Sequence, residues 1–162
     1  MYYFANIQSH LLYGITIWYS TYQSQTNILH TVINKAIKLI YFRNNRDNVD
    51  TLRQQSNVPT LKTLWLKAIS TNTFKIINNI LPNHNLVTYN IDTNIYRHHL
   101  RPNNNIICIK TYRTNYGLYT FEHLSSVVWN YLNGCCNLKN LTIYQFKQLL
   151  KTNNWNITIL IQ

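Results

Sequence analysis

The sequence predicts a mostly α-helical chain: a helical bundle over residues 1–81, then over 82–162 a loop, a small β-hairpin and C-terminal helices. Three observations predict it. Apolar residues recur every three or four positions in two early segments, Ile7–Leu11–Ile15–Trp18 and Leu29–Ile33–Ala36–Ile37–Ile40, the spacing of one helix face. A third stripe runs from Leu61 through Leu64, Trp65, Ala68, Ile69, Ile76 and Ile77 to Ile80. Helix punctuation falls where the stripes begin and end: Pro59, Leu81-Pro82, Gly134 and Thr142-x-x-Gln145.

In chain order, Ser9 to Trp18 reads as the first amphipathic helix. Tyr19 to Asn27 is rich in Ser, Thr, Gln and Asn, with Ser24 or Thr26 available as N-cap of the second helix. In that helix Thr31, Asn34, Lys35 and Lys38 lie opposite the apolar stripe. Residues 43–58 read as a polar link carrying Arg43, Arg46 and Arg53. Pro59 suits a first helical turn. The following stripe is weakened at Thr71 to Thr73, where a kink or a division into two helices fits. Residues 83–105 have no clear period and read as an exposed loop. Ile106 to Tyr112 is β-leaning, Asn115-Tyr116-Gly117 reads as a turn, and Leu118 to Phe121 returns as a second strand. Glu122 to Leu132 is a helix that Gly134 ends. Thr142-x-x-Gln145 is a capping box, opening a helix with Ile143, Phe146, Leu149 and Leu150 on its apolar side.

Composition sets the class of partner. The 162 residues suit one domain or slightly more. Charged residues make up 12%, half the usual share of about 25%. Fifteen Lys and Arg face four Asp and Glu, a formal charge of +11. A polyanion is the natural partner of such a surface, with a membrane surface second. No apolar run approaches the ~20 residues of a spanning helix, and Met1 to Asn6 has no cationic n-region. Three cysteines, two of them adjacent, are no disulfide framework, and a reducing, intracellular compartment fits, nucleus or cytoplasm.

Polymerase or nuclease chemistry needs two or three carboxylates converging on metal ions. The acids here are Asp47, Asp50, Asp92 and Glu122, and no aromatic-x-Asp-Asp turn occurs, so no catalytic residue is assigned. His98-His99 and Cys135-Cys136 lack the spacing of a zinc site, so no metal ligand is assigned either. The strongest functional signal is cationic. Lys35 and Lys38 lie one turn apart, and Arg43 and Arg46 follow; such groups track phosphates without reading sequence. A second group, Arg97, Arg101, Lys110 and Arg113 with Tyr96, Tyr112 and Tyr116, mixes cations with aromatics. It suits stacking on single-stranded nucleic acid, or else the tyrosines close a small core. Trp18, Trp65 and Trp129 fall on apolar stripes and read as core.

A resemblance joins these segments. Ser9-His-Leu-Leu-Tyr-Gly-Ile-Thr-Ile-Trp18, then Leu29 with Asn34-Lys-Ala-Ile-Lys38 and Ile40, resembles the region just after the palm in non-LTR, LINE-type (jockey-like) retrotransposon reverse transcriptases, where the thumb lies. Arg113-Thr-Asn-Tyr-Gly117, Trp129-Asn-x-Leu132 and Phe146-Lys-x-x-Leu-Lys151 follow in the family's order and spacing. The likeness covers residues 2 to 151. The chain departs from the family at Tyr19, where Gly is frequent, and at Asn133, where Pro is. The resemblance implies a thumb-like helical bundle and the region after it, part of a longer RNA-directed DNA polymerase. The implied partners are RNA, DNA or an RNA–DNA hybrid, held by the backbone, and the palm. It implies no cofactor in this chain, since Mg would belong to the palm. A free-standing nucleic-acid-binding protein and a transposon remnant or interaction fragment remain the alternatives.

Overall fold

The computed structural model describes residues 2–20, 23–44, 46–82, 107, 109–136, 138 and 140–152. These residues are mostly helical. A π-helical stretch, Tyr3–Gln8, leads into α1 (Ser9–Leu12), α2 (Ile15–Trp18), α3 (Gln23–Ile40), α4 (Val49–Ser56), α5 (Leu61–Ile77), α6 (Asn115–Leu118), α7 (Phe121–Cys135) and α8 (Ile143–Thr152). The chain divides into two compact units, residues 1–68 and 69–162, and the division falls inside α5.

In the first unit the predicted Ser9–Trp18 helix is two short helices. Gly14 sits at φ +64° and Tyr13 at ψ 113°. The left-handed conformation at Gly14 is one that a side chain resists. The indole N–H of Trp18 donates to the Tyr13 carbonyl at 3.0 Å, which secures the break. The second helix begins earlier than predicted: Ser24 and Thr26 lie within α3 rather than capping it. The expected polar link holds a helix of its own, α4. Asn48 caps it, accepting from the Asp50 N–H at 2.9 Å, and Asp50 in the first turn suits the helix dipole.

The core of this unit is mainly aliphatic. Tyr3, Ile33, Ile37, Leu52, Val58 and Leu61 are buried together, with Ile7, Leu11, Trp18, Leu29 and Val49 packed around them. Helices α3 and α4 end in the same way, on a left-handed residue whose successor bonds back five residues. Arg43 N–H reaches the Lys38 carbonyl at 2.9 Å past Phe42 (φ +51°), and Val58 N–H reaches Arg53 at 3.0 Å past Asn57 (φ +52°). Asparagine tolerates that backbone; phenylalanine does so at a steric cost.

Helix α5 is continuous through Thr71 to Thr73. The Thr73 hydroxyl is buried and donates to the Ile69 carbonyl at 2.8 Å, so the polar residue that weakened the stripe is satisfied within the helix. Pro59 lies outside this helix, and Thr60 accepts from the Thr63 N–H at its start.

In the second unit the core is aromatic. Phe74 and Phe146 stack at 4.4 Å and 17°, and Trp129 lies 6.4 and 6.5 Å from them. Leu124, Val128, Leu132 and Leu150 complete the buried faces of α7 and α8. The Thr142–Gln145 capping box forms in both directions, Thr142 N–H to Gln145 Oε1 at 2.9 Å and Gln145 N–H to Thr142 Oγ1 at 3.3 Å.

Among the described residues the predicted β-hairpin is not formed and no strand occurs. Asn115-Tyr116-Gly117 is helical in α6, and Thr120 caps α7 by accepting from the His123 N–H, so the expected return strand is spent on two helix ends. The incoming segment bonds to side chains of α7. Asn130 takes both backbone groups of Ile107, accepting from its N–H and donating to its carbonyl, each at 2.8 Å. His123 Nδ1 meets the Lys110 carbonyl at 3.2 Å, and the Tyr112 hydroxyl donates to Glu122 at 3.2 Å. Gly134 is still helical, and α7 ends one residue later at Cys135.

Candidate functional site

The cations of the first unit follow from how α3 ends. Lys35 is exposed on its outer side and Lys38 is half-buried one turn on. The left-handed turn at Phe42 redirects the chain, and Arg43 and Arg46 emerge exposed in the loop before α4. Arg43 lines a shallow depression of about 240 Å³ together with Asp47, Asn48, Thr51, Leu52 and Gln55. Asp47 is held by the Asn44 N–H, which donates to its Oδ2 at 3.1 Å. A carboxylate thus shares this depression with Arg43 and offsets part of its field. At Lys35, on the exposed side of α3, no acidic residue lies in the neighbouring turns of its own helix.

Of the second predicted group, Arg113 is exposed in the second unit, and Arg97, Arg101 and Tyr96 lie outside the described residues. Lys110 pairs with Glu122 at 2.6 Å. Its hydrogen bond to that carboxylate holds its pKa above the usual lysine value. Tyr112 is half-buried against α7, edge-on to His123 at 5.8 Å, whereas Tyr116 is 73% exposed. The aromatics of this group therefore differ: one closes on a helix and one faces solvent. Trp65 and Trp129 are buried and Trp18 is half-buried, so all three belong to packing.

Arg53 belongs to the predicted polar link, yet it is only 8% exposed. Its guanidinium donates to Asn34 Oδ1 at 2.7 Å and to the Pro59 carbonyl at 3.4 Å. This buried cation is solvated by neutral oxygens. It acts on its neighbours: burial lowers the His30 pKa below the usual histidine value and the Arg53 charge lowers it further. Tyr3 is pushed up by burial, which Arg53 opposes. No simple sequence signal marks an arginine as buried, beyond its place one turn before the αL stop at Asn57.

The acids have local duties. Asp47 braces the loop, Asp50 opens α4 and Glu122 joins Lys110 to Tyr112, while Asp92 lies outside the described residues. Among the described residues no three His, Cys, Asp or Glu side chains gather as a metal site would require, and no helix is long and apolar enough to cross a membrane. Cys135 is exposed and Cys136 half-buried, both as free thiols. What the described site can do chemically is attract an anion by charge. No protein-family model, no curated protein and no solved structure matches this chain.

Proposed function

We propose that this chain binds nucleic acid through the phosphate backbone, as the thumb and following region of a LINE-type reverse transcriptase without its catalytic palm. The observation that carries the reading is the run Lys35, Lys38, Arg43, Arg46 at the end of α3 and in the loop after it, on a chain of charge +11. Arg97, Arg101 and Arg113 are the next phosphate-binding residues in this reading. The ordered motifs of the resemblance support the family origin. Template–primer duplex is then the ligand, the palm the protein partner, and nucleus or cytoplasm the place of action. The chain alone would hold a duplex and extend nothing, because the proposed metal-binding carboxylates belong to the palm.

The test is binding of the purified chain to a labelled RNA–DNA hybrid across a salt series, beside a Lys35→Glu, Lys38→Glu variant. Affinity should fall linearly on logarithmic axes as salt rises, and the slope should shrink by about 1 for each phosphate that the variant no longer neutralises. A folded chain that fails to bind at low salt overturns the reading.

A further inference from the structure

Helix α3 is apolar on two opposite sides. Ile33 and Ile37 face the core and are 3% and 0% exposed. On the other side Ile28, Val32 and Leu39 are 62%, 56% and 77% exposed. At 3.6 residues per turn these three and Lys35 fall within a strip about 60° wide. Phe42, two residues past the helix end, is 96% exposed on a left-handed backbone. A helix apolar on both sides is the pattern of one packed between two layers, and a contiguous exposed apolar patch marks a docking surface.

Lys35 restricts what can dock. A duplex backbone offers phosphates but no apolar surface for Ile28, Val32 and Leu39. A second copy would set like charge against like, since each chain carries +11 and brings its own Lys35 to the same face. A membrane-lying helix has a broad apolar face with a border rich in cations; here the apolar strip is only about 40° wide, with Lys35 on one edge and Ser24, Gln25 and Thr31 on its flanks. An apolar protein surface with a carboxylate at its margin satisfies both features, since a lysine at the edge of the strip then meets an opposite charge.

We infer that the outer face of α3 docks an acidic amphipathic helix of a partner protein, its apolar side against Ile28, Val32, Leu39 and Phe42 and a carboxylate against Lys35. The inference shares Lys35 with the nucleic-acid reading, so an acidic helix and a duplex would compete for that residue, but its apolar contacts are ones that phosphates do not satisfy.

The probe is a labelled synthetic amphipathic helix with leucines at heptad spacing flanked by glutamates, and a twin with lysines for the glutamates. Fluorescence anisotropy with the full chain should show binding of the acidic peptide and not of its twin. Val32→Ser and Leu39→Ser should each weaken it about tenfold. Lys35→Glu should transfer the preference to the lysine peptide. Because these positions are exposed, circular dichroism should be unchanged in all three variants. Binding of neither peptide, equal binding of both, or binding indifferent to Val32 and Leu39 overturns the inference. So does a dimer by light scattering, or adhesion to anionic phosphatidylserine vesicles, that Leu39→Ser abolishes, since either would assign the face to another occupant.

Discussion

The two units solve the same problem with different completeness. In the second, Phe74, Trp129 and Phe146 form one aromatic core, and the large aliphatic side chain left more than half exposed among its described residues is Ile80. In the first, the aliphatic Ile17, Ile28, Val32 and Leu39 all stand that far out of the surface. Both units are basic, so charge does not separate them. Among the described residues the difference lies in aliphatic surface, which the first unit holds out to solvent more than the second. Exposed aliphatic surface, more than charge, distinguishes the two units.

The comparison can be broken most severely at Trp129. Trp129→Ala should cost about 3–5 kcal/mol, a large share of a marginal domain's total. Leu39→Ser, at an exposed position, should stay within about 0.5 kcal/mol. Urea unfolding of the two variants decides it, and equal losses would mean that α3's outer face is already covered.

A smaller effect tests the close approach in the second unit. Gly117 is buried, and a Cβ placed on it would strike the Cβ, Cγ and Cδ1 atoms of Tyr112. Gly117→Ala should cost about 1–3 kcal/mol through that overlap. In a Tyr112→Ala background the cost should shrink, which a double-mutant cycle reads directly. An undiminished cost would place the strain in the backbone of α6.

The smallest effect sharpens the first unit's peculiarity, its buried cation. The His30 pKa is lowered in the folded chain by burial and by Arg53. The unfolded chain then binds more protons in the window below the ordinary histidine value of about 6.5. Stability should be intact above that window and decline as pH falls through it, levelling off below the folded pKa. His30→Gln should flatten the decline in unfolding measured against pH, while no change in slope would remove His30 as its source.

Legibility in the sequence followed the kind of signal. Stripes that pack against one core were readable: Ile33, Ile37, Leu61, Trp65, Val128 and Phe146 lie where the period placed them. The capping box at Thr142 was readable because its two bonds lie within one turn. The hairpin failed because β-leaning residues near 107–112 found their partners on α7, and no local pattern announces that Asn130 will face Ile107. Helix α4 was hidden by its composition, with Leu52 and Val49 its principal apolar side chains in the core. At the site, Lys35, Arg43 and Arg46 are exposed as cations should be. The strip around Lys35 was hidden because Ile28, Val32 and Leu39 form a second period out of phase with the first, and attention to one face conceals the other.

Asn130 has a consequence beyond holding Ile107. A side-chain amide carries a donor and an acceptor at the spacing of a peptide group, so α7 supplies the equivalent of a single strand residue to Ile107. The Ile107 amide proton is therefore shielded only while that turn of α7 is intact. In deuterated water it should exchange in step with the surrounding turns of the helix, a clock for α7 placed in a segment that belongs to no helix.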